Sequence, residues 1–152
     1  MRLIDNFYQS WYAIKQISEV LSLYNTIKLS VGYEEYLNFL PFDLRAYLCK
    51  IRISAHSLNI QTGRYGRNRV PRAERYCVYC ALGDIEDEYD FILTCPCYEH
   101  LRRKYIRKQY YSRPNMIKFI ELLRCDNKTT LTNLAKYLKL AFRLRVSLHY
   151  EN

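Results

Sequence analysis

The stretch CVYCALGDIEDEYDFILTCPC, residues 77–97, decides how this 152-residue chain is read. Cys77 and Cys80 sit two residues apart, and Cys95 and Cys97 follow downstream. A C-x2-C turn lets two thiolates point at one ion from a tight loop. Between the cysteine pairs, Asp84 is placed to cap a short helix, with the Asp87 carboxylate three residues later serving the same helix start. Ile85, Tyr89 and Ile92 would form one face of that helix. Glu86, Asp87 and Glu88 would fill its first turn, where the macrodipole favours negative charge.

Zinc in a closed structural site takes four ligands, and Cys77, Cys80 and Cys95 supply three. Asp90 is a candidate for the fourth, a carboxylate oxygen being acceptable though less soft. Cys97 and His100 are alternatives after a small shift of the chain, and His56 is another from outside the stretch. Asp90 and Cys95 are five residues apart and diverge by more than a quarter turn on a regular helix. Both face one ion only if the helix loosens before Thr94. The competing reading is free thiols in a small helical core. No cysteine–histidine–carboxylate arrangement for nucleophilic chemistry is legible.

Outward from this module, helical spacing dominates. Phe7, Trp11, Ile14, Leu21 and Tyr24 fall near one face, broadened by Ile17 and Val20, until Gly32 breaks the pattern. Pro41 opens a helix over 42–58 with Leu48, Ile51, Ala55 and Leu58 on one stripe. Its opposite stripe, Arg45, Cys49, Arg52 and His56, suits a phosphate or carboxylate, or is a solvated face. The segment QTGRYGRNRVPRAER (61–75) holds two glycines, a proline and five arginines and reads as a loop. A basic helix follows over YEHLRRKYIRKQYY (98–111). NMIKFIELL (115–123) is a further helix, and the last runs through Leu131, Leu134, Leu138, Ala141, Leu144 and Leu148. The expected fold is all-α, one domain over 1–152 of five to seven helices, with the cysteine module at about 76–100. The first and last helices should pack near the 42–58 helix.

Composition narrows the function classes. Hydrophobic residues make up 49% of the chain, enough for a packed core. Sixteen tyrosines against four glycines favour packed amphipathic surfaces over loops. A formal net charge of +9 points to a polyanion, nucleic acid first and an anionic membrane surface second. No apolar run is long enough for a membrane span, and the first residues lack the hydrophobic stretch of a signal peptide. The expected compartment is therefore intracellular, nuclear or cytoplasmic. There six cysteines serve as thiols or metal ligands rather than disulfides, with Cys49 and Cys125 the simplest core candidates.

The runs LSLYNTIKLSVGYEEYL, LRAYLCKIRISAHSLNIQTGRY, RYCVYC and IEDEYDFILTCPCYEHLRRKYI carry a family resemblance. From about Leu21 to Ile106 the chain resembles the C-terminal tail of invertebrate non-LTR retrotransposon polyproteins, downstream of their endonuclease and reverse transcriptase domains. The resemblance implies a CCHC-type zinc knuckle made by Cys77, Cys80, the residue at 90 and Cys95, associated with nucleic-acid handling. Two positions depart from the family pattern. Asp90 stands where histidine is usual, and Gln61 where glutamate is typical. The first departure weakens metal affinity; the second makes the loop more basic. The polymerase and nuclease motifs of such polyproteins lie outside this chain.

The function expected is a non-catalytic module binding RNA or DNA, alongside the rest of such a polyprotein. Arg64, Arg67, Arg69, Arg72 and Arg75 would contact phosphates on one side, and Arg102, Arg103, Arg107 and Lys108 on the other. Tyr65 and Tyr76 would offer stacking faces. Three thiolates, one carboxylate and zinc leave a site charge of −2, which Arg75 above all would offset. The alternative is a structural or protein-interaction helical domain without metal. A metal nuclease built on Asp84, Glu86, Asp87, Glu88 and Asp90 is disfavoured, because those carboxylates are explained by a helix start.

Overall fold

The computed structural model describes the backbone of residues 2–151 and the side chains of residues 3–150. Its α-helices, in chain order, are α1 (Arg2–Ile17), α2 (Ser22–Ile27), α3 (Tyr36–Phe39), α4 (Phe42–Arg52), α5 (Asn59–Thr62), α6 (Glu99–Tyr105), α7 (Lys108–Tyr111), α8 (Met116–Arg124) and α9 (Lys128–Glu151). Among the described residues β pairing is limited to one isolated bridge, Tyr76 with Ile85. The all-α expectation therefore holds.

Helix α9 is the spine. Leu131, Leu134, Ala135, Leu138, Ala141 and Phe142 are buried at three- and four-residue steps, one continuous helical stripe. The stripe receives α4 through Leu44, Leu48 and Ile51, and this is the most extensive helix pairing, followed by α6 against α9. Each fully buried leucine contributes about 1.5–3 kcal/mol relative to exposure. Asn127 starts α9 by accepting from the Thr130 amide at 2.9 Å, and Asn115 does the same for α8 through Lys118 at 2.9 Å. Cys49 and Cys125, expected in the core, are only half-buried.

Three of the expected helices stop early: the one expected over 98–111 breaks at Ile106–Arg107 into α6 and α7, and α4 and α1 end short of their periodicity. Helix α4 ends at Arg52, not at residue 58. Ser54 adopts φ +55°, its amide bonds the Ile51 carbonyl at 3.1 Å, and the Ala55 amide reaches the Lys50 carbonyl at 2.8 Å. This is a Schellman termination with serine in the position glycine usually takes. The Ser54 hydroxyl, donating to Glu88 at 2.8 Å, helps hold that conformation. The expected polar stripe thus dissolves. Arg52 is buried, donating to the Leu123 carbonyl at 2.7 Å and pairing with Glu34, while His56 lies beyond the helix against Glu88 at 2.8 Å.

Helix α1 closes at Ile17, and the chain turns through Ser18–Leu21 before α2. It packs on α2, pinned where Lys15 donates to the Lys28 carbonyl and Asn25 to the Lys15 carbonyl. Leu3, Phe7, Ile14 and Ile17 remain exposed, so the apolar face read at the N-terminus is not a core face of this chain. The aromatic centre lies elsewhere. Phe91 packs against Tyr98 at 4.6 Å and Phe142 at 4.7 Å between ring centroids, which welds the cysteine segment onto α9.

Candidate metal centre and basic loop

The cysteine module begins as a hairpin. Around the Tyr76–Ile85 bridge, the Cys77 amide donates to the Asp84 carbonyl and the Glu86 amide to the Arg75 carbonyl, both at 2.9 Å. Gly83, at φ +71°, closes the turn in a region that other residues enter only with strain. Asp84 and Ile85 therefore belong to the returning arm and not to a helix start. The helical turn begins later, where Asp87 Oδ1 accepts from the Asp90 amide at 2.9 Å and takes the capping role expected of Asp84.

The acidic run is not a solvated first turn either. Glu86 is fully buried, receives Arg145 Nε and Nη2 at 2.7 and 2.8 Å, and accepts from the Asn59 amide at 2.7 Å. It ties the hairpin, α5 and α9 together. Glu88 accepts from Ser54 and pairs with His56. Burial pushes its carboxyl up, but the His56 and Ser54 contacts outweigh this and hold it below the usual range. His56 is thereby committed to Glu88, away from the cysteines. Sequence reading missed both pairs because their partners come from distant segments.

Residues Asp90–Thr94 form a π-helix, with the Cys95 amide donating to the Asp90 carbonyl at 2.8 Å. An i→i+5 turn is the loosening before Thr94 that a shared site for Asp90 and Cys95 requires. The carbonyls this turn releases find other donors. Tyr137 donates to the Phe91 carbonyl at 2.5 Å, and Arg102 donates to those of Ile92 and Cys95 at 2.8 and 2.7 Å. Wide turns of this kind are common at functional sites.

The sulfurs of Cys77, Cys80 and Cys95 lie within 4.8 Å of one another, and those of Cys77 and Cys95 are 3.9 Å apart. Sulfurs around a tetrahedral zinc, each about 2.3 Å from the metal, are separated by about 3.8 Å. The cluster thus has the size of a zinc-thiolate site. The Cys95 contact pulls the Cys77 thiol down to about 6 and pushes the Cys95 thiol up, so the pair is poised to hold one thiolate. Asp90 stands outside the 4.8 Å set but is 3% exposed. Its Oδ1 accepts from Thr94 at 2.7 Å, whereas its Oδ2 is buried with no hydrogen-bond partner. Burial, with the negative charges of Cys77, Asp87 and Asp84, raises its carboxyl to about 6 despite the Thr94 bond. A buried carboxylate oxygen without a hydrogen-bond partner, close enough to Cys77 to feel its charge, is a donor of the kind zinc accepts beside thiolates. Cys97 donates to the Tyr79 carbonyl at 3.2 Å, and His100 is exposed on α6.

The basic residues divide into two roles. Arg64, Arg69, Arg72 and Arg75 line one cavity of about 400 Å³ with Tyr65, Glu19 and Val20. Arg75 braces its wall, donating to the Val70 and Ile60 carbonyls at 2.9 and 2.8 Å, so it serves the loop rather than the metal-site charge. Its side chain lies so close over Gly63 that an added Cβ would approach Arg75 Cδ to 2.9 Å. Arg67 is exposed outside the cavity. Beyond Cys97, Arg103, Arg107 and Lys108 are exposed and do not line that cavity, and Arg103 pairs with Glu99. Arg102 is the exception: 4% exposed, it is a structural residue and does not face solvent. Among the described residues no helix is long and apolar enough to cross a membrane. No protein-family model matches the chain, and no curated protein or solved structure matches it.

Proposed function

We propose that this chain is a non-catalytic nucleic-acid-binding module whose cysteine hairpin is held by zinc. The observation that carries the reading is the convergence of Arg64, Arg69 and Arg72 with Tyr65 on one cavity, in the loop that leads directly into Cys77. Guanidinium groups gathered around an aromatic ring suit a phosphodiester backbone with its bases, and they give affinity with little base reading. Zinc would be held by Cys77, Cys80 and Cys95, with the unpartnered Oδ2 of Asp90 a candidate fourth donor. Its role is to fix the hairpin and, through the Glu86–Arg75 backbone bond, the root of the basic loop. The resemblance to non-LTR retrotransposon tails supports this reading. We place the module with RNA or DNA inside the cell, beside the rest of such a polyprotein.

Zinc content of protein purified without added metal, together with salt-dependent binding to a mixed oligonucleotide, tests the proposal. A steep fall of affinity with salt, beyond that of a control protein of equal charge, supports it; binding no stronger than the control's overturns it. The second reading, a protein-interaction domain, rests on the exposed Leu3, Phe7, Ile14 and Ile17 of α1. A failed binding assay would leave that reading standing.

A further inference from the structure

The arginine cavity does not end at Tyr65. Tyr65 and Val20 also wall a second cavity of about 290 Å³, whose lining includes Ala55, His56, Gln61 and Thr62. Ala55, His56 and Thr62 in turn border a third, of about 630 Å³, whose far side is Tyr47, Lys50, Phe142 and Arg143. Shared lining residues set the three cavities side by side along the segment that follows α4, and we read them as one groove. Cations sit at both ends, Arg69 and Arg72 at one and Lys50 and Arg143 at the other. Aromatic surface lies between and beside them: Tyr65 is 64% exposed, and Tyr47 stacks on Phe142 with centroids 6.0 Å apart. In the middle section Gln61 is 6% exposed, yet its Oε1 is buried without a hydrogen-bond partner. Arg64 Nε at the arginine end is in the same condition. Unsatisfied buried polar atoms along a groove are what a ligand's own donors and acceptors would complete.

Resting on the nucleic-acid reading, we infer that this groove takes a single strand. A duplex keeps its bases paired and stacked inside, so it offers none of them to aromatic side chains. An unpaired strand lays phosphates against the terminal cations and bases against Tyr65 and the half-buried Tyr47. Base NH groups are the donors that Gln61 Oε1 lacks.

The test is fluorescence anisotropy at about 150 mM salt with a labelled mixed-sequence strand of roughly twelve nucleotides, the same sequence as a blunt duplex, and polyglutamate as competitor. The strand should bind about tenfold or more tightly than the duplex, and polyglutamate should compete poorly. Lys50→Glu with Arg143→Glu, both exposed and outside the arginine-lined cavity, should weaken strand binding about tenfold while far-ultraviolet circular dichroism stays unchanged. Tyr65→Ala should do likewise, and Tyr65→Phe should retain affinity. Equal or tighter duplex binding, effective competition by polyglutamate, or indifference to the Lys50/Arg143 pair overturns the single-strand groove and leaves nucleic-acid binding intact. Binding to neither nucleic acid overturns both.

Discussion

Arg102 donates through Nη2 to the backbone carbonyl of Cys95 at 2.7 Å, so a fully desolvated guanidinium holds the chain at a candidate zinc ligand. Its Nε secures Ile92 at 2.8 Å in the same wide turn. Replacing Arg102 by Met leaves two buried carbonyls without donors, at about 1–3 kcal/mol each. We expect a loss of roughly 2–6 kcal/mol in urea unfolding, with earlier loss of metal to a chelator. Arg103→Met, an exposed change one residue away, should stay within about 0.5 kcal/mol. Equal effects at the two positions would remove Arg102 from the turn.

The candidate metal centre makes its own prediction. Purified protein should carry near-stoichiometric zinc, and chelation should lower the melting temperature. Cys80→Ser should abolish retention. Asp90→His should tighten zinc binding and raise the melting temperature, because a neutral imidazole relieves one negative charge of a site that otherwise carries −2. Thr94→Val removes the hydroxyl bonded to Asp90 Oδ1 and should weaken zinc roughly tenfold. Chelator competition followed by absorbance reads all three variants, and unchanged affinity in Asp90→His would remove residue 90 from the coordination shell.

Stability of the metal-free protein should respond to pH in two opposite ways. Asp90 is raised to about 6, so the folded state takes up a proton that the unfolded chain does not bind until near 3.9. Lowering pH from about 6 to 4 therefore stabilises through this group. Glu88 is held below its ordinary value, so its contribution is present above about 4.3 and is lost as pH falls through its folded value. Urea midpoints of chelated protein should show Asp90→Asn removing the gain between pH 6 and 4. Glu88→Gln should flatten the loss below pH 4. The reverse assignment of those two slopes would refute the electrostatic account.

For the basic loop, Arg67, Arg69 and Arg72 together changed to alanine should weaken binding to every nucleic-acid sequence alike. The slope of affinity against salt should flatten by roughly three phosphate contacts. All three side chains are exposed, so the melting temperature should barely move. An unchanged slope would make them bystanders.

How much of this was legible in the chain follows from where each determinant lies. The sequence alone determined the helical class, since the stripe from Leu131 to Ala141 needs only its own spacing to be recognised. It also pointed to the cysteine cluster: C-x2-C closes locally, and the five-residue step from Asp90 to Cys95 required a widened turn if both were to face one ion. Tertiary structure decided which charges are tools and which are struts. Arg52, Glu86, Glu88 and Arg102 look solvated in sequence, but each meets a partner brought by another segment or by a turn that the fold creates. It also decided that α4 stops at Arg52, because Ser54 in a left-handed conformation is held by Glu88, 34 residues away. Local spacing reports what a segment prefers. The partner of a buried charge is chosen by packing, because desolvating that charge is tolerable only where the rest of the chain supplies the opposite group.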